Sequence, residues 1–183
     1  MIITLIRHGE VEDAYRGCYN GHNNIGLSPL GVKHSRTLAA HFKAQHFDAC
    51  YCSDLRRAVE TFEPFHRHAT YTDALREKSW GRHEGLSYER ICTMESCAYE
   101  SFEQWINLLD GESIEAFQTR IARFYGELLL KDYDSVLIMT HAGVIRMFYY
   151  LLQKVSLEEA FALPCEYGSF CTLDTHTSQF GFC

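Results

Sequence analysis

The stretch IITLIRHGE occupies residues 2–10. It is a short β-branched apolar run that breaks off into Arg7-His8-Gly9-Glu10. Strands buried on both faces read this way, as in a parallel sheet. Two further runs have the same design. FDACYC at 47–52 ends in Ser53-Asp54-Leu55-Arg56-Arg57, and SVLIMT at 135–140 ends in His141-Ala142-Gly143. Helical periodicity fills the intervals. A helix is expected after Pro29, on Val32, Leu38, Ala39 and Phe42, and another over 54–66 with Asp54 as its cap. Over 113–130, Ile114, Phe117, Ile121, Phe124 and Leu128 recur at helical spacing behind a capping Ser113. A nearly all-apolar helix follows over 142–153. Residues 169–174 and 178–182 read as one or two edge strands. The alternation predicts a three-layer α/β/α sandwich with a mostly parallel central sheet.

The chain has 183 residues, enough for one domain with a sizeable core. A single domain over 1–183 is expected, with a small helical lid inserted around 85–112 and helical over 92–105. The 17 basic and 24 acidic residues leave a net charge of −7, which excludes broad nucleic-acid or anionic-membrane binding. No apolar run approaches the ~20 residues that span a bilayer. The first residues lack the basic start of a secretion signal. The eight Cys show no metal-type spacing, so free thiols in a reducing cytoplasm are expected. Cys50 and Cys52 alternate onto one sheet face as small core residues. The His66-Arg67-His68 run reads as a solvated helix end, and Gly26-Leu27-Ser28-Pro29 as turn and helix-start chemistry.

In open α/β sheets, ligands bind beyond the carboxyl ends of the strands. Each apolar run delivers His or Arg to that rim at the start of a helix, where free N–H groups favour anions. Arg, His and helix ends together suit a phosphate. A neutral imidazole can attack phosphorus, and guanidinium forks match phosphoryl oxygens. An alkoxide leaving group also needs a proton. The segment LREKSWGRHEG at 75–85 offers Glu77 and Glu84 for that task.

These stretches resemble the motifs of the histidine phosphatase superfamily, the phosphoglycerate mutase-like group. LIRHGE at 5–10 is similar to its signature, and CSDLRRAVET at 52–61 to its second motif. LREKSWGRHEG and LIMTHAGVIR, at 137–146, are similar to its third and fourth. The resemblance implies His8 as nucleophile and Arg7, Arg57 and His141 as phosphate ligands. It implies Glu77, not Glu84, as proton donor, with no metal or cofactor. Arg56 is left as an exposed helix residue, while Glu84 and Glu10 are expected to order their loops.

RGCYNGH at 16–22 and EYGSF at 166–170 are similar to the α-ribazole phosphatase branch. That likeness implies a small phosphomonoester substrate, with α-ribazole 5′-phosphate of cobalamin biosynthesis as the named candidate. Asn20 and Gly21 would approach the phosphate, and Ala142 the substrate. The chain departs from the branch at Ala14 and at Arg82-His83, so Arg82 and His83 are expected to contact extra polar or anionic groups on the substrate. Two other functions compete. A phosphoglycerate mutase would need a longer insertion than the stretch after Gly85 provides. A non-catalytic phospho-ligand module would have no use for a proton donor.

Overall fold

The computed structural model describes residues 1–95 and 97–182. Six strands form one sheet: β1 (Ile2–Arg7), β2 (Ala49–Ser53), β3 (Thr70–Thr72), β4 (Ser135–Thr140), β5 (Phe170–Asp174) and β6 (Gln179–Phe182). Their order is β3-β2-β4-β1-β5-β6. The first four run parallel, and β5 and β6 add antiparallel. β5 is therefore interior, and β6 is the edge. Helices cover both faces, giving the three-layer α/β/α fold.

Alternation along the strands explains the two cores. Ile3, Leu5, Val136 and Ile138 point to one face. Ile6, Cys50, Cys52, Leu137 and Met139 point to the other. The first face is covered by α5 (Ile114–Leu129) and α6 (Ala142–Gln153), the second by α1 (Pro29–His41) and α2 (Arg56–Phe62). On α5 the buried side is the 114, 117, 121, 124, 128 stripe behind Ser113, which accepts from Ala116 N–H. Each fully buried Ile or Leu contributes about 1.5–3 kcal/mol relative to exposure.

Three expectations are corrected. Asp54 does not cap α2, which begins after Leu55 without a side-chain cap. Asp54 instead receives Nε and Nη2 of Arg76 at 2.7 and 2.5 Å, a stronger charge-assisted pairing than a cap offers. The expected helix over 92–105 is two short helices, α3 (Tyr88–Met94) and α4 (Phe102–Leu108). Glu95 turns extended, and Ser101 caps a new start by accepting from Gln104 N–H. Between them Cys92 and Cys97 form a disulfide, their Cα atoms 5.2 Å apart, so the thiols are not all free. A last short helix, α7 (Leu157–Ala162), packs against α4 and α6.

Candidate active site

The carboxyl ends of β1 and β4 lie side by side, with Arg7 paired to Thr140. His8 N–H continues the ladder to Thr140 O at 3.0 Å, and His8 O accepts from Gly168 N–H at 3.0 Å. The turn behind His8 packs on the start of α1 with no room for a side chain. A Cβ at Gly9 would lie 2.5 Å from Gly31 O, and one at Gly31 would lie 2.0 Å from Glu10 O. Gly9 N–H also donates to Thr61 Oγ1 at 2.9 Å.

The His8 ring is buried, and its Nδ1 lies 2.7 Å from Gly9 O. A carbonyl can only accept, so Nδ1 carries the proton and Nε2 the lone pair. Burial, then the Arg57 and Arg7 charges, hold the His8 pKa well below 6.5. His141 stands 5.0 Å away, ring to ring, with Nε2 2.8 Å from Ser53 Oγ. Burial, Arg57 and His8 lower its pKa likewise. Both rings are thus neutral near pH 7.

Arg7 donates to Cys165 O, and its guanidinium lies 3.8 Å over the Tyr167 ring. Tyr167 also packs 5.6 Å from His8. Arg57 is fully buried. Its Nη1 donates to Asn23 O at 2.9 Å, and its Nη2 to Gly21 O at 2.7 Å and Asn20 O at 3.2 Å. Burial lowers Arg57 to about 10, which leaves it cationic at neutral pH. Among the described residues, Arg7 Nε, Arg57 Nε and His141 Nδ1 are buried with no partner. Buried donors without acceptors are costly, and an oxyanion would satisfy the two guanidinium N–H groups.

Glu77 accepts from Gly143 N–H and Lys78 N–H, both at 2.9 Å. The first donor belongs to the opening turn of α6, whose dipole favours a carboxylate. A Cβ at Gly143 would come 2.0 Å from Glu77 Oε1, so that glycine is what lets the carboxyl approach. Glu84 has a different task. It accepts from the N–H groups of Gly21, His22, Asn23 and Trp80, at 2.7, 2.8, 3.2 and 2.9 Å, and so orders the first loop. Glu10 accepts from Ser28 Oγ at 2.8 Å. Arg56 is exposed and pairs with Glu60.

A cavity of about 270 Å³ opens here. Arg7, His8, Asn20, Glu77 and Ala142 line one side, and Tyr19, Trp80, Phe102, Trp105 and Phe161 the other. Arg57 and His141 lie beneath it with no exposed surface. Three sequence-predicted contacts are absent from its lining. Gly21 N–H is already held by Glu84. Arg82 pairs with Glu95 at 2.7 Å, and His83 is fully buried between Glu95 and Asp110. Sequence reasoning missed Tyr167, Gly143 and the aromatic wall. Only Tyr167 and Gly143, inside recognised motifs, carried any local signal.

The residue order and geometry agree with a family model that matches residues 3–182, and the chain belongs to the histidine phosphatase superfamily, branch 1. It is a phosphatase. Among curated relatives, the adenosylcobalamin/α-ribazole phosphatase of Salmonella typhimurium is 27% identical over 95% of this chain and 90% of its own length. Phosphoserine phosphatase 1 of Hydrogenobacter thermophilus is 26% identical over 93% and 85%. The crystal structure of the α-ribazole phosphatase from Shigella flexneri superposes with a TM-score of 0.84, at 24% identity over 100% of this chain and 95% of that one.

Proposed function

We propose that the chain hydrolyses a small phosphomonoester through a phosphohistidine on His8. The observation that carries this is the neutral His8 ring, its Nδ1–H fixed on Gly9 O, set beside two buried guanidinium N–H groups without partners, Arg7 Nε and Arg57 Nε, and the unpartnered Nδ1 of His141. His8 Nε2 attacks phosphorus, and the phosphorus–oxygen ester bond breaks. Arg7, Arg57 and His141 stabilise the equatorial oxygens during transfer. Glu77 gives its proton to the departing alkoxide. Its carboxylate then takes a proton from water, which attacks the phosphohistidine, breaks the phosphorus–nitrogen bond and releases inorganic phosphate.

The substrate we put first is α-ribazole 5′-phosphate. Similarity to α-ribazole phosphatases supports it, and so does the aromatic side of the cavity, which suits a flat apolar base. The test is phosphate release in excess EDTA with His8→Ala as blank, together with trapping of acid-labile phosphate on the protein. Turnover at a kcat/KM of about 10⁴ M⁻¹s⁻¹ or more supports substrate and chemistry together. Phosphate transfer to phosphoglycerate without net hydrolysis would overturn the reading in favour of a mutase.

A further inference from the structure

The α3–α4 segment supplies Phe102, Trp105 and Ile106 to the cavity. The carboxyl end of each of its two helices is fastened to one buried imidazole. His83 Nδ1 accepts from Asp110 N–H at 3.0 Å, just beyond α4. A ring that accepts on Nδ1 carries its proton on Nε2, and Nε2 meets Glu95 Oε1 at 3.0 Å, at the end of α3. Arg82 repeats both connections. Its Nη2 pairs with Glu95 Oε1 at 2.7 Å, and its N–H donates to Asp110 Oδ2 at 3.0 Å. The same short stretch of backbone carries Glu77 and Trp80, which face the cavity. Trp105 in turn reaches across by donating from Nε1 to Tyr19 Oη at 2.9 Å.

We infer that His83, seconded by Arg82, is a positioning residue that sets the gap between the proton donor and the aromatic wall, and thereby selects phosphomonoesters with bulky, flat leaving groups. Its kinetic consequence rests on the phosphatase reading above; its binding consequence does not. His83 touches no substrate and acts through Glu95, Asp110 and the helices they end. The His83 side chain touches none of Arg7, His8, Arg57 and His141; the 20–23 loop that holds Arg57 is ordered by the neighbouring Glu84, whose backbone N–H contacts the substitution leaves in place.

The test compares 1-naphthyl phosphate with glycerol 1-phosphate in wild type, His83→Ala, His83→Gln and Glu95→Gln. His83→Gln can still donate to Glu95 and should rescue part of the loss. Glu95→Gln keeps its shape and tests the same joint should His83→Ala not fold. In His83→Ala, KM for the naphthyl ester should rise about tenfold or more with kcat within about threefold, while KM for glycerol 1-phosphate stays within about twofold. The chain has two Trp, at 80 and 105, and both line the cavity, so their fluorescence reads binding directly. Quenching by 1-naphthyl phosphate should weaken in His83→Ala while quenching by inorganic phosphate holds. Equal losses for both ligands, or no loss for either, would overturn the inference. If wild type hydrolyses neither ester, the fluorescence arm alone decides this inference; failure of the phosphohistidine reading would show separately, as no turnover of α-ribazole 5′-phosphate and no phosphate trapped on the protein.

Discussion

The two sides of the cavity are built from different materials. The phosphate side comes from strand ends and the turns that follow them. Arg7 and His8 close β1, His141 closes β4, and Arg57 sits in the first turn of α2. Backbone hydrogen bonds fix the nucleophile turn to β4 and to residue 168. The aromatic side comes from a loop, a bend and two short helices, α4 and α7, joined by ring contacts and a side-chain hydrogen bond. Reaction chemistry therefore rests on the rigid part of the sheet. Leaving-group selectivity, as inferred above, belongs to the aromatic side.

The largest expected effect breaks the phosphate side alone. His8→Ala should lower kcat by about 10³-fold or more for every ester, since the covalent route is lost. Naphthyl phosphate should still quench the tryptophans in that variant. Retained turnover would move the nucleophile elsewhere.

Next comes the boundary between the sides. Gly143→Ala would press a methyl group onto Glu77, whose Oε1 lies 2.0 Å from that Cβ position. Loss of a placed acid should cost about 10²-fold in kcat/KM for alkyl esters, a quantity that ends at phosphohistidine formation and leaves out the hydrolysis step in which Glu77 also acts. The cost should be far smaller for 4-nitrophenyl phosphate, whose leaving group departs without a proton. An equal loss for both esters would show that Glu77 is not the donor.

A third prediction uses pH. His8 and His141 have folded pKa values below 6.5, lowered chiefly by burial. Below pH 6.5 the unfolded chain takes up protons that the folded chain refuses. Their contribution to stability is therefore complete above that pH and falls as the solution is acidified. Thermal melts should show Tm falling between about pH 7 and pH 5, with a shallower fall in His141→Asn. A variant slope as steep as the wild-type slope would remove His141 from this account.

The smallest effect belongs to the aromatic side. Reducing Cys92–Cys97 opens a loop with a sequence separation of 5. Chain entropy gives about 2 kcal/mol for so short a loop, a Tm drop of about 5 °C in melts with and without a phosphine reductant. Glycerol 1-phosphate turnover should not change below the melt. Identical melts would argue against the bridge.

How much of this was legible follows the same divide. The phosphate residues lie directly after apolar runs, so alternation and motif order locate them. The α5 stripe and α6 announce themselves by periodicity. What the sequence withheld depends on distant partners. Asp54 looked like a cap until Arg76, 22 residues later, claimed it. Arg82 and His83 looked like substrate contacts because polarity alone does not say which way a side chain turns; Glu95 and Asp110 turn them away from the cavity. Gly21 looked free to meet phosphate, but Glu84, 63 residues on, holds its N–H. The break between α3 and α4 and the Cys92–Cys97 bridge depend on where Glu95 and Ser101 fold, which periodicity does not report.

The contact between Gly9 and Gly31 has a bearing on how such a molecule can be diversified. Two backbones meet there with no space for a methyl group, so neither position can serve as a site of gradual change. In a saturation library, both should tolerate almost no replacement, whereas 102, 105 and 106 should accept many. Retargeting to a new ester is then a matter of exchanging residues 88–108. Altering the nucleophile would require rebuilding the turn and the helix beneath it in one step.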